Sequence, residues 1–181
     1  MKKSIPTIAV AAFVASMFAV SAVAVAGEQN EKVTRVSGQV KVAKDDKGAV
    51  TGVRIGDDAV VLDDMGEDLA TLMDGKRTMA AVVVEEKEGA KTLVLRNFTI
   101  INTAGTIKVA KGEGGKVESV SFAADAGPQY TVLMHKKTEK FAEMDGKAVS
   151  VSGSVGLKDG AKTLMVQNYQ ERKADKKDEA K

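Results

Sequence analysis

Cysteine and tryptophan are missing from the 181 residues, and histidine occurs once. Without cysteine there is no disulfide, no thiolate nucleophile and no thiolate metal site. One histidine with no clustered partner is poor metal chemistry. Aromatic residues make up only 4%, which leaves few rings for stacking bases. A surplus of one charge is missing too: Lys2 and Lys3 account for the net +2, so the remaining 25 basic residues balance 25 acidic ones. A dedicated nucleic-acid binder normally carries a basic excess, so no nucleic-acid partner is expected. No phosphate loop, H-E-x-x-H motif or Ser-His-Asp arrangement occurs, so neither an enzyme nor a cofactor is expected.

What is present begins with an export pattern over residues 1–26. Met1-Lys2-Lys3 is a short positive region, Ile5 to Val25 is apolar, and Ala24-Val25-Ala26 fits a signal peptidase site before Gly27. The run is long enough to span a bilayer, so a retained anchor is the alternative. Its alanines, Ser16, Ser21 and small C-terminal residues favour cleavage, with no stable membrane insertion afterwards. A periplasmic or secreted location is expected.

The rest of the chain states one unit twice. Met73-Asp74-Gly75-Lys76, Gly89-Ala90-Lys91-Thr92-Leu93 and Phe98 recur 71 positions later as Met144-Asp145-Gly146-Lys147, Gly160-Ala161-Lys162-Thr163-Leu164 and Tyr169. Earlier in each unit, Val40-Lys41-Val42-Ala43-Lys44 matches Ile107 to Lys111 at an offset of 67. Val50, Val53 and Ile55 break strict alternation once, and Val117, Val120 and Phe122 repeat the break, which predicts a bulge near Thr51-Gly52 in both. The four extra residues of the second copy fall around Ala123 to Gln129. Gly38 and Gly105 sit on inward phases, where a missing side chain lets a strand bend.

Each copy reads as three strands, a short helix and two strands. In the first, Asp64-Met65-Gly66-Glu67 resembles a capping box with Asp64 as N-cap, followed by Leu69, Leu72 and Met73. In the second, Thr138 to Met144 takes the helix position. This order is that of a five-stranded OB barrel. The D-G-K-x-V-x-V-x-G-x-V and G-x-K-T-L-x-V pattern of Asp145 to Val166 resembles the OB-like repeats of small exported bacterial proteins. The resemblance covers nearly all of the chain after the leader and implies a fold without transferring a catalytic residue. The expected fold class is all-β, with one short helix per repeat, as two tandem OB-like barrels over residues 27–101 and 102–170. A charged, disordered tail is expected at 171–181. SH3-like barrels or one continuous β-sandwich are the alternatives.

Three sets of residues are candidate sites. Asp57, Asp58, Asp63, Asp64, Glu67 and Asp68 could supply oxygens to a divalent cation, although the calcium-loop spacing is absent and capping explains several of them. The corner that is Asp64-Met65-Gly66 in the first copy is His135-Lys136-Lys137 in the second, with Lys140 nearby. Opposite charges there suggest that the corners meet, within one chain or between chains. Met79, Ala81 and Val83 occupy outward positions that Ser150, Ser152 and Ser154 fill in the second copy. With Val94 and Phe98 they form an apolar outer face that something should cover, the second copy first among the candidates. The expected function is that of a non-catalytic, exported binding or structural module of the bacterial envelope, with protein or glycan partners and the capacity to self-associate. The alternative is a small-molecule or cation binder using the acidic cluster or the barrel junction.

Overall fold

The computed structural model describes residues 32–172 except Glu88, with Lys87 as backbone alone. The apolar leader and the charged tail beyond Arg172 lie outside the described residues. Nine strands form one sheet: β1 (Val33–Lys44), β2 (Val50–Ile55), β3 (Asp58–Val60), β4 (Arg77–Lys87), β5 (Ala90–Lys111), β6 (Val117–Ala124), β7 (Gln129–Val132), β8 (Ala148–Lys158) and β9 (Ala161–Glu171). Helix α1 (Asp64–Met73) joins β3 to β4, and a 3₁₀ turn at Glu139–Glu143 takes the equivalent place between β7 and β8. The second expected helix is therefore only a turn.

The sheet closes on itself twice. β1 pairs with β2 and β4, β2 with β3, β3 runs parallel to β5, and β5 returns antiparallel to β4. The C-terminal part of β5 makes the same circuit with β6, β7, β9 and β8, again with one parallel contact, β7 to β9. The molecule has an OB-like, all-β fold.

One strand serves both circuits. β5 runs for 22 residues, so the division placed at 101/102 falls inside it. Asn102-Thr103-Ala104 contains no glycine or proline to end a strand, and the chain adapts by bulging instead. Ile101 and Asn102 lie between the pairs Ile100↔Gly153 and Thr103↔Val151, with Asn102 at φ 48°.

Repeated irregularities match the repeated sequence. Thr51 is the extra residue of β2 opposite Ala43–Lys44, and Glu118 is its counterpart in β6 opposite Ala110–Lys111. Arg96 and Gln167 are extra residues of β5 and β9 in the same way. Each Asp-Gly-Lys is a turn that ties the following strand to the first of its circuit. Val40 N–H donates to Lys76 O at 2.8 Å and Gly75 N–H to Val40 O at 3.0 Å; Ile107 and Gly146 repeat both bonds with Lys147 and Ile107 at 3.0 and 2.9 Å. Gly75 and Gly146 hold φ 73° and 74°, where a side chain is strained.

Helix α1 plugs the first circuit. Asp63, not Asp64, is its N-cap: Asp63 is extended, and its Oδ1 accepts from Met65 N–H at 3.1 Å and Gly66 N–H at 2.9 Å. Two adjacent aspartates fit the same motif, and backbone conformation selects between them. Leu69, Leu72 and Met73 are buried against the strands, as expected from their spacing, and so is Met65. In the second circuit Phe141 and Met144 supply the plug.

Candidate functional site

The acidic candidates are dispersed among structural tasks. Asp57 lies 3.7 Å from Lys41 with its own side chain fully exposed, and Asp58 lies 3.5 Å from Lys91. Asp63 caps α1, and Asp64 offers only its carbonyl, 3.4 Å from Lys162 Nζ. Glu67 accepts Thr71 Oγ1 at its carbonyl, at 2.9 Å. Among the described residues, no three acidic, histidine or cysteine side chains converge as a metal site.

Asp68 does something the sequence pattern did not indicate. Only 4% exposed, it accepts from Tyr130 Oη at 3.0 Å and from Lys162 Nζ at 2.8 Å. It thereby ties α1 to β7 and β9. Burial, then the charge and hydrogen bond of Asp68, push the Tyr130 phenol above its ordinary 10.0. The acidic corner thus does meet the second half, but through Lys162. Within the chain, and among the described residues, no ion pair joins this corner to His135, Lys136 or Lys137.

The apolar outer face is only partly as expected. Met79 is 55% exposed and Ala81, Val83 and Val94 are half-buried, so the second half of the chain leaves this face open. Phe98 does not belong to it. The extra residue Arg96 reverses the phase of β5, and Phe98 becomes fully buried core between Ala80 and Val155.

The basic corner is where the structure assembles an open site. Thr138 is fully buried; its Oγ1 accepts from His135 N–H at 2.9 Å and its N–H donates to His135 O at 2.7 Å, closing a tight turn over residues 135–138. The imidazole fastens that turn to β9, with Nε2 2.9 Å from Val166 O and Nδ1 3.3 Å from Lys137 N. A carbonyl only accepts, so Nε2 carries the proton and Nδ1 accepts from Lys137 N–H. His135 thus clasps the turn to β9. Lys136, Lys137 and Lys140 are exposed, and among the described residues none of them forms an ion pair.

These lysines, with Gln167, Asn168 and Tyr169, line a cleft of about 380 Å³ at the β9 bulge. Tyr169 is half-buried and meets Phe141 edge-to-face at 4.7 Å. Its counterpart Phe98 is sealed because β5 continues and pairs with β8, whereas β9 ends at Glu171. Likewise the counterparts of Lys136 and Lys137 are Met65 and Gly66, both buried on α1. The same fold position is closed in one half and open, cationic and aromatic in the other. The sequence signal was the repeat alignment itself, Phe98 against Tyr169, read together with the neighbouring lysines. A second groove, about 420 Å³, crosses the outer face of β1–β3, with Lys41 and Arg54 on its walls and no aromatic residue.

No protein-family model and no curated protein matches the chain. A crystal structure of a deletion mutant of the single-stranded DNA binding protein from Thermus aquaticus is similar at 11% identity. The match covers 81% of this chain and 85% of that one, with a TM-score of 0.31. At that score it transfers no activity. Two expectations are nevertheless corrected, on the cleft and not on this likeness: the exclusion of nucleic acid, and the preference for an envelope protein or glycan partner that followed from it. The cleft supplies locally what net charge and aromatic content had been taken to rule out.

Proposed function

We propose that this chain is a non-catalytic module that binds single-stranded nucleic acid at the cleft of Lys136, Lys137, Lys140 and Tyr169. The observation that carries the reading is the meeting of three exposed ammonium groups that form no ion pair among the described residues, Lys137 Nζ lying 3.5 Å from Gln167 O, with a half-buried aromatic residue. Single strands present alternating phosphates and flat bases, and proteins hold them by cationic grooves and aromatic platforms. A duplex hides its bases and gains only the charge contacts. With a near-neutral chain, binding is local and modest in strength.

Fluorescence anisotropy of a labelled oligothymidylate at low ionic strength tests this. Saturable binding by the wild type, lost in the triple variant Lys136→Ala/Lys137→Ala/Lys140→Ala, is the expected result. Equal binding by both proteins, or none by either, would overturn it.

The lysine pair, apolar run and Ala24-Val25-Ala26 support export, as in the small exported OB-like repeat proteins that the sequence resembles. N-terminal sequencing of protein recovered from the native host should begin at Gly27. An intact Met1 on the mature product contradicts export with cleavage.

A further inference from the structure

Beside the lysine cleft, and sharing Asn168 and Tyr169 with it, lies a groove of about 300 Å³ lined by Asn102, Ser150, Ser152, Asn168, Tyr169 and Gln170. No charged side chain lines it. We infer that this groove is a base-reading subsite selective for adenine, an inference that rests on the strand-binding reading above.

The sheet register builds it. Ser152 pairs with Asn168 on β9, and on its other side faces the Ile101–Asn102 bulge of β5. Ser150 pairs with Gln170 one step along. Amides and hydroxyls from three strands therefore share one outer face. Asn102 is fixed in place: its N–H donates to Ser152 Oγ at 2.9 Å, and Ser152 Oγ donates to Asn102 Oδ1 at 3.4 Å. Its left-handed φ of 48° displays the side chain at the corner of the bulge, a conformation asparagine tolerates better than most residues.

The chemistry of the lining selects the ligand. A groove without charge beside a cationic cleft suits a neutral ring whose phosphate lies next door. Side-chain amides offer a donor and an acceptor side by side, which complements the N7 acceptor and N6 donor of adenine. Single-stranded bases, being unstacked, expose those edges. The first half of the chain has Met79, Ala81 and Val83 at the positions of Ser150, Ser152 and Ser154, so it carries no copy of this subsite.

The test compares labelled oligoadenylate and oligothymidylate of one length on wild type, Asn102→Gly and Asn168→Ala. Glycine keeps the positive φ at 102. Wild type should prefer oligoadenylate by roughly fivefold or more, the scale of one good base contact. Both variants should lose most of that preference, and Asn102→Gly, which lies outside the lysine cleft, should keep its dependence on salt. Wild type that binds both oligomers equally, or variants that keep the preference, would overturn the subsite and leave the strand-binding reading standing. No binding of either oligomer would sink both. Should a variant fail to fold, the side-chain amide resonances of Asn102, Asn168 and Gln170 in the wild-type protein serve instead. They should shift with oligoadenylate, and stationary amides during saturable binding count against the subsite.

Discussion

Asp68 satisfies two groups that come from far along the chain, the Tyr130 hydroxyl and the Lys162 ammonium. Replacing it with alanine strands a buried hydroxyl and a largely covered ammonium, at a cost of about 3 kcal/mol in urea denaturation. Asp68→Asn keeps an acceptor for Tyr130 and should cost less. Tyr130 gives the same link a pH signature. Its folded pKa lies above the ordinary 10.0, so the unfolded chain loses the proton first. Its contribution to stability is therefore intact below that pH and falls as pH rises beyond it. Denaturation melts from pH 9 to 11 should show the decline, and Tyr130→Phe should make it shallower. None of this was legible in the sequence, where Asp68 is one more acid beside a helix and Tyr130 and Lys162 lie more than sixty positions away. Gly105 was legible, as an inward residue on a bending strand. A Cβ there would meet the Phe122 ring and Ala123 O, and backbone cannot give way cheaply. Gly105→Ala should cost on the order of 2 kcal/mol.

Among the elements, those with local signals were read well. The strand of Val50, Val53 and Ile55, its bulge at Thr51 and the repeat of both in β6 followed from side-chain phase alone. Helix α1 followed from apolar spacing, with its cap misplaced by one residue between two aspartates. Asp63→Ala should destabilise by about 1 kcal/mol and Asp64→Ala by much less, a contrast that thermal melts can resolve. Phe98 was misread because a single extra residue, Arg96, reverses the phase of β5 until the Ile101–Asn102 bulge restores it. The continuity of β5 was missed because a strand that bulges and one that ends look alike wherever glycine and proline are absent.

For the whole molecule, the shared strand has a thermodynamic consequence. Asn97 and Phe98 pair with β4 on one side and β8 on the other, so losing this stretch of β5 opens both circuits and unfolding should be one transition. Calorimetry should return equal calorimetric and van't Hoff enthalpies, and two resolved peaks would contradict that. Net charge was a misleading guide to binding at this scale. Twenty-five bases against twenty-five acids say nothing of where the charges sit, and the fold gathers Lys136, Lys137 and Lys140, none of them in an ion pair among the described residues, in one cleft beside Tyr169. The central claim is that those three lysines hold phosphates. The most direct measurement is the salt dependence of oligothymidylate binding. Three phosphate contacts to a single strand predict a slope of log K on log salt of about −2, falling close to zero in Lys136→Ala/Lys137→Ala/Lys140→Ala. A wild-type slope near zero, or a slope the triple variant leaves unchanged, would contradict the account.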